Sequence, residues 1–216
     1  MGMRRFFPNL ALCVLLASPG VLAAQAPAST STSFAASSYA EKLKFAGLPK
    51  FGRINDSLYR GAQPYAEGLQ QLQKLGITTI IDLRGEDPHK VDWERKQAEA
   101  LGIRFIHLPV SGWSAPSNEQ VAQFFSIFRS QANEKVFVHC RFGEDRTGVF
   151  IASYRIAFEH WSSDQALGEM LAFGFNRLWH PSMASYIRDL PQRLQSDPVL
   201  KSSLGPQVTP PLELAR

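Results

Sequence analysis

The stretch from Val136 to Ala152 leaves this chain few ways to fold. Val136-Phe137-Val138 is an apolar run with strand character. His139-Cys140-Arg141-Phe142-Gly143-Glu144-Asp145-Arg146-Thr147-Gly148 follows it, and Val149-Phe150-Ile151-Ala152 continues as a helix. A strand that enters a tight glycine-containing loop and leaves as a helix points successive backbone N–H groups into one concavity. The helix N-terminus adds its positive end, so the loop is an anion cradle. Cys140 lies at the floor of that cradle, six residues before Arg146. Helix N-termini and neighbouring arginines favour thiolates, and a guanidinium grips two phosphate oxygens in its planar fork. The segment therefore supplies a nucleophile and an oxyanion binder together.

The rest of the chain alternates strand-like and helix-like runs. Leu58-Tyr59-Arg60 reads as a short strand and Tyr65–Leu75 as a helix closed by Gly76. Ile77–Leu83 is a β-branched strand, and Trp93–Leu101 a helix closed by Gly102. Ile103–Leu108 and Lys135–His139 are further strands, separated by a helix from about Asn118 to Gln131. Three helices follow the loop: Thr147–His160, Ser163–Phe173, with Ser163 or Asp164 as its cap, and His180–Leu194. This alternation predicts a single α/β domain whose mostly parallel central sheet is flanked by helices. The loop then falls at a strand's carboxyl end, where open α/β sheets bind ligands.

The boundaries follow from composition. Arg4 and Arg5, the apolar run Leu10–Ala17, Pro19-Gly20 and the small residues ending at Ala24 read as a signal peptide over residues 1–24. The apolar run is well short of the roughly 20 residues that span a membrane, so no stable membrane anchor is expected. Residues 25–45 read as a flexible leader, rich at first in Ser, Thr, Ala and Pro; residues 46–196 as the folded domain; and the proline-bearing stretch 197–216 as an irregular tail. The address predicted is secreted, most simply a bacterial periplasm. Cleavage removes Cys13 and leaves Cys140 as the lone thiol, so no disulfide forms within the mature chain. Of 23 basic and 19 acidic side chains the peptide holds Arg4 and Arg5 and no acid, leaving 21 against 19. That near-neutral balance excludes a nucleic-acid surface as the main function.

The pattern His-Cys-x5-Arg-Thr-Gly resembles the phosphate-binding loop of the cysteine-dependent protein tyrosine phosphatase superfamily, in its bacterial, dual-specificity-like and atypical branch. Leu58-Tyr59-Arg60-Gly61-Ala62-Gln63-Pro64 and Ile80-Ile81-Asp82-Leu83-Arg84 are similar to segments that precede that loop in small dual-specificity-like phosphatases. The resemblance covers roughly residues 50 to 175. It implies a phosphotyrosine-phosphatase-like fold and a metal-independent phosphomonoester hydrolase that needs no cofactor. Cys140 would attack phosphorus and form a thiophosphoryl intermediate. Arg146 and the loop N–H groups, from Arg141, Phe142, Gly143 and Glu144, would bind the phosphoryl oxygens, and Thr147 would stabilise the leaving thiolate. His139 would organise the loop. Arg84 and Arg60 end strand-like runs and can buttress it through a carboxylate or a carbonyl; for Arg60 a surface position is an equal alternative. Trp113 can gate the pocket or merely pack, and Asn176-Arg177 can cover the site from its far side.

The proton donor is the open assignment. In the wider family an aspartate on a mobile loop, some thirty residues before the cysteine, protonates the leaving oxygen. Here that region reads Pro109-Val110-Ser111-Gly112-Trp113-Ser114-Ala115-Pro116, with no acid. Asp145, directly before Arg146, is the leading candidate, because Asp-Arg-Thr resembles the loop of myotubularin-type lipid phosphatases. Asp87 and Asp92 are its rivals, and Glu119 more simply opens a helix. The partner expected is a phosphorylated substrate. Two acids in the loop, Glu144 and Asp145, suit a monoester such as phosphotyrosine better than a densely phosphorylated inositol. An envelope lipid, inositol or other small-molecule phosphate cleaved by the same mechanism, an inactive phosphate-binding module, and sulfur or arsenic chemistry on the same thiolate are the alternatives. A lone cysteine disfavours arsenate reduction, which uses a resolving thiol.

Overall fold

In the computed structural model, residues 1–2, 38–130 and 134–205 are described. The chain divides into units Met1–Ser37 and Ser38–Arg216, and every element below belongs to the second. The proposed signal peptide, apart from its first two residues, lies outside the described residues. The elements run β1 (Glu41–Lys42), β2 (Gly52–Arg53), β3 (Leu58–Ala62), α1 (Ala66–Lys74), β4 (Thr79–Arg84), α2 (Pro88–Ala100), β5 (Arg104–Val110), α3 (Asn118–Ser130), β6 (Val136–Cys140), α4 (Asp145–Phe158), α5 (Ser163–Ala172), α6 (Pro181–Ser196) and α7 (Pro198–Leu204).

The strands form one sheet in the order β1-β2-β3-β6-β4-β5. From β3 through β6 and β4 to β5 the pairings are parallel, and β1–β2–β3 adds an antiparallel edge. Every residue of β3, β4 and β6 is buried, as continuous apolar runs covered on both faces require. One core cluster joins β6 to α3, α4 and α6 through Val138, Phe124, Phe150 and Ile187; the other joins α1 and α2 to the opposite face through Leu69, Leu72, Val91 and Phe137. The central strand β6 thus ends, in the middle of the sheet, at Cys140. This is the single α/β domain expected, with its parallel core.

Several boundaries move for local physical reasons. Helix α2 begins at Pro88, well before Trp93, because the Asp87 carboxylate accepts from the Lys90 N–H and Pro88 takes the first helical turn, where its missing donor costs nothing. Helix α5 is capped by Ser162, in a reciprocal pair with Gln165, and not by Ser163 or Asp164.

The flexible leader is corrected from Ser38 onward. Ala40 is buried and its N–H donates to Glu169 Oε1 at 2.7 Å, Tyr39 packs its ring on Trp161, and β1 pairs with β2. A fully buried Arg155–Glu169 ion pair creates the acceptor that ties this segment down. The irregular tail is corrected likewise. Asp197 caps α7 by accepting from Val199 and Leu200, it takes a hydrogen bond from Asn118 Nδ2 at 2.7 Å, and Leu200 is fully buried. Pro198 initiates that helix rather than breaking it. The remainder, 206–216, lies outside the described residues.

Candidate active site

Cys140 ends β6 with only 2% of its surface exposed, and it is a free thiol. The chain turns through Arg141–Glu144 into α4, whose first helical bond runs from the Gly148 N–H to the Glu144 carbonyl at 2.8 Å. Gly143 permits the turn. Its φ is +69°, and a Cβ there would lie 2.5 Å from the Gly61 carbonyl carbon. The loop is thereby pressed against β3. Arg60 of β3 locks it, donating through one terminal nitrogen to the Gly143 carbonyl at 2.9 Å while its guanidinium stacks on the Phe173 ring. Arg60 is fully buried, and burial pulls its pKa down to about 10. The buttress through a carbonyl is what the structure contains; a surface arginine it is not.

Arg146 stands in the first turn of α4, 7% exposed. Both of its terminal nitrogens donate to Glu86, at 2.6 and 2.7 Å, in a bidentate pair. That hydrogen bond, ahead of the charge itself, holds Glu86 below the usual carboxylate range. Glu86 uses one N–H from each terminal nitrogen, so Nε–H and the outer hydrogens remain for an oxyanion. Glu86 therefore fixes the plane of the guanidinium without consuming it.

His139 is fully buried behind the loop. Its Nε2 lies 2.8 Å from Glu94 Oε1, its Nδ1 faces the Cys140 carbonyl at 3.4 Å, and its ring stacks on Phe137. Burial works against an imidazolium, but Glu94 and then Asp82 outweigh it and raise the pKa. Arg84 ties the two carboxylates together, bonding Asp82 at 2.7 and 2.9 Å and Glu94 at 2.7 Å. Arg84 thus reaches the loop through Glu94 and His139. Asp82, Glu94 and His139 form the group of acids and histidine close enough, among the described residues, to ligate a metal. The Arg84 guanidinium already fills the cationic position between both carboxylates, so the arrangement fits a closed ion-pair network better than a metal centre.

Above the loop opens a cavity of about 900 Å³, bounded by residues 85–86, 109–113, 140–142, 144–146, 174, 176 and 179–180. Trp113, Trp179 and Phe142 line it and are 75%, 71% and 56% exposed. Arg141 is exposed and stacks on Phe142. Glu144 pairs with Lys50. Thr147 is buried with Oγ1 unpartnered, in the turn of α4 that also carries Arg146. Asp145 lines the cavity, its Oδ1 accepting from the Asn176 N–H at 3.2 Å and its Oδ2 lying 3.5 Å from His180 Nε2. Its rivals are elsewhere. Asp87 is committed to capping α2 and pairing with Lys90, and neither it nor Asp92 nor Glu119 lines the cavity. Asn176 covers the far side as expected, whereas Arg177 does not line the cavity.

Two titratable cavity residues, Glu86 and His180, had no functional reading in the sequence, and neither did Trp179 of the rim. Glu86 sits two residues beyond the end of a parallel strand, a position where ligand groups gather, and that was its only signal. His180, at the N-cap of α6 before a proline, carried none.

A family model described as "DSP-PTPase phosphatase fused to NAD+ Kinase" matches residues 52–182, more than half of the chain. The dual specificity protein phosphatase TpbA of Pseudomonas aeruginosa is 29% identical over 123 residues, covering 57% of this chain and 54% of that protein. This chain therefore spans about half the length of that relative. NAD kinase 2, chloroplastic, of Arabidopsis thaliana is 29% identical over 102 residues, 46% of this chain and 10% of that protein. Among solved structures, P. aeruginosa TpbA matches with a TM-score of 0.61 at 24% identity, over 76% of this chain and 96% of that one. The core catalytic domain of the PP-IP phosphatase SIW14 from S. cerevisiae matches at 0.57 and 23% identity, over 74% and 96%. At those identities the likeness is one of fold. The family match, by contrast, runs unbroken from β2 across the cysteine loop to the start of α6, and on it this chain belongs to the DSP-PTPase phosphatase family.

Proposed function

We propose that this domain hydrolyses phosphate monoesters through a Cys140 thiophosphoryl intermediate, with phosphotyrosine or another aryl phosphate as the substrate class. The observation that carries the reading is the placement of Cys140 at the cavity floor, one loop away from an Arg146 whose guanidinium is pre-oriented by Glu86. The Cys140 thiolate attacks phosphorus in line. Arg146 and the loop N–H groups hold the three equatorial oxygens as charge redistributes, which is the main stabilisation such a site supplies. The leaving oxygen takes its proton from Asp145, the cavity carboxylate that no arginine or lysine pairs with among the described residues. Water then attacks the intermediate, Asp145 receives its proton, and the thiolate departs beside Thr147. The aromatic rim of Trp113, Trp179 and Phe142 suits an aryl ester more than a polyphosphorylated ring. The relative TpbA, a dual specificity protein phosphatase by name, supports the same class. No metal enters either step, and export of the protein to the periplasm accompanies this reading.

The test is turnover of 4-nitrophenyl phosphate in the presence of chelator. Activity that persists there and falls by about 10⁴-fold or more in Cys140→Ser carries the proposal, since loss of a covalent nucleophile has costs of that order. Binding of phosphate without turnover by the reduced protein would replace it with a phosphate-binding module.

A further inference from the structure

His180 is a buried histidine that lines the catalytic cavity and to which the reaction above gives no task. Its surroundings are specific. Nε2 lies 3.5 Å from Asp145 Oδ2, Nδ1 is buried without a partner, and the ring sits beside Trp113 and Phe175, with centroids 5.8 and 6.5 Å away. With Nδ1 unpartnered, Nε2 is the ring nitrogen that faces Asp145.

The carboxylates of the cavity are sorted by partner. Glu86 is held by Arg146 and Glu144 by Lys50. Asp145 has no arginine or lysine partner among the described residues; the Asn176 N–H donates to Oδ1, and His180 Nε2 lies 3.5 Å from Oδ2. Without them a carboxylate adjacent in sequence to Arg146 and facing Lys50 has cations to collapse upon. The remaining charged groups at the cavity are Arg141 and, as thiolate, Cys140.

We propose that His180 is a positioning residue that, with Trp113 packed on its ring, holds the Asp145 carboxyl towards the leaving oxygen. The loop that lacks an acid in this chain contributes Trp113 instead, and acts on proton transfer through His180. The proposal rests on Asp145 being the proton donor of the reading above. In the first step the Asp145 proton passes to the departing oxygen as the S–P bond forms and the P–O bond breaks. In the second, the proton of the attacking water returns to Asp145 as the S–P bond breaks. His180 keeps its own hydrogen throughout.

The experiment compares wild type, His180→Phe, which keeps a ring and removes the donor, and His180→Gln, whose amide can restore it. Each is assayed on phenyl phosphate and on 4-nitrophenyl phosphate, whose better leaving group needs little protonation. The expected result is a kcat loss in His180→Phe at least about tenfold larger on phenyl phosphate, within the usual range of acid catalysis. His180→Gln should recover most of it, and His180→Phe should add nothing in an Asp145→Asn background. Equal losses on both substrates, or no recovery in His180→Gln, would overturn the proposal. The ¹³Cγ resonance of Asp145, followed in the Cys140→Ser protein, decides the pairing apart from turnover. It should move in His180→Phe and return in His180→Gln, and an unmoved resonance overturns the pairing. A wild type inactive on 4-nitrophenyl phosphate would refute the phosphatase reading alone, leaving that resonance to decide the contact.

Discussion

Cys140 and Arg146 stand on one strand and the helix that follows it, and the loop between them rests on buried supports: Arg60 beneath it, His139 behind it, Glu94 and Arg84 behind that. The mouth above them is assembled differently. Trp113, Asp145, Asn176, Trp179 and His180 come from three separated segments, and its two tryptophans are largely in water. The floor is set by regular hydrogen bonding and close packing, which tolerate little adjustment. The rim is set by a few side-chain contacts on loops, which can change without cost to the fold. The contrast implies that binding of the phosphoryl group is rigid, whereas selection of what carries it is adaptable.

The sharpest way to break this contrast is to blunt the floor without removing its charge. Arg146→Lys keeps a cation but loses the fork that faces both Glu86 and an oxyanion. We expect kcat/KM on any substrate to fall by about 10³-fold, in line with the loss of a main oxyanion donor. A loss that differed strongly between aryl and alkyl substrates would mean that Arg146 belongs functionally to the rim.

Next in size is the network behind the loop. Glu94→Gln removes the anion that faces both His139 and Arg84, and breaking a buried pair in this way costs about 3–5 kcal/mol. Chemical denaturation measures it. The pH dependence has a definite sign. Because the folded-state pKa of His139 is raised, its contribution is whole below the unfolded value of about 6.5 and is lost as pH rises through the higher folded value. Wild type should therefore lose stability on that alkaline side, and Glu94→Gln should show a flatter profile there. An unchanged slope would remove His139 from the stabilising network.

These two regions were unequally legible. The floor's reactive pair and its helix entry lie within one short motif, and a contiguous strand–loop–helix carries its own geometry. The supports needed the sheet order: Arg60 reaches Gly143, 83 residues away, only because β3 lies beside β6. Glu86 likewise meets Arg146 through the β4–β6 pairing, and nothing in the local sequence of His180 points to Asp145. The same limit explains the ends of the domain. Ala40 and Leu200 are held by Glu169 and by α3, partners more than 70 residues distant, so local composition read them as loose.

Arg60 is a smaller test of the boundary between floor and rim. Arg60→Met keeps the stem and much of the contact with Phe173 but removes the hydrogen bond to the Gly143 carbonyl. The lost bond is to a charged donor and so is worth about 1.5–3 kcal/mol. If the loop needs that anchor to hold its N–H groups, kcat should fall about 10- to 100-fold with KM for 4-nitrophenyl phosphate also rising. A variant less stable but equally active would show that packing against Gly61 alone holds the loop.

The smallest expected effect lies at the rim, and its smallness is the point. Trp179 is 71% exposed, and its backbone N–H donates to Asn176 Oδ1. Trp179→Ala should leave stability within about 0.5 kcal/mol, as surface substitutions generally do. On a small aryl phosphate, which the floor grips by its phosphoryl group, kcat/KM should change less than about threefold. On a phosphotyrosine peptide, whose flanking residues must cross the rim, the loss should be larger, up to about tenfold for one aromatic contact. Equal behaviour on both substrates would mean that the floor alone selects the substrate, and the division between a rigid binder and an adaptable selector would fail.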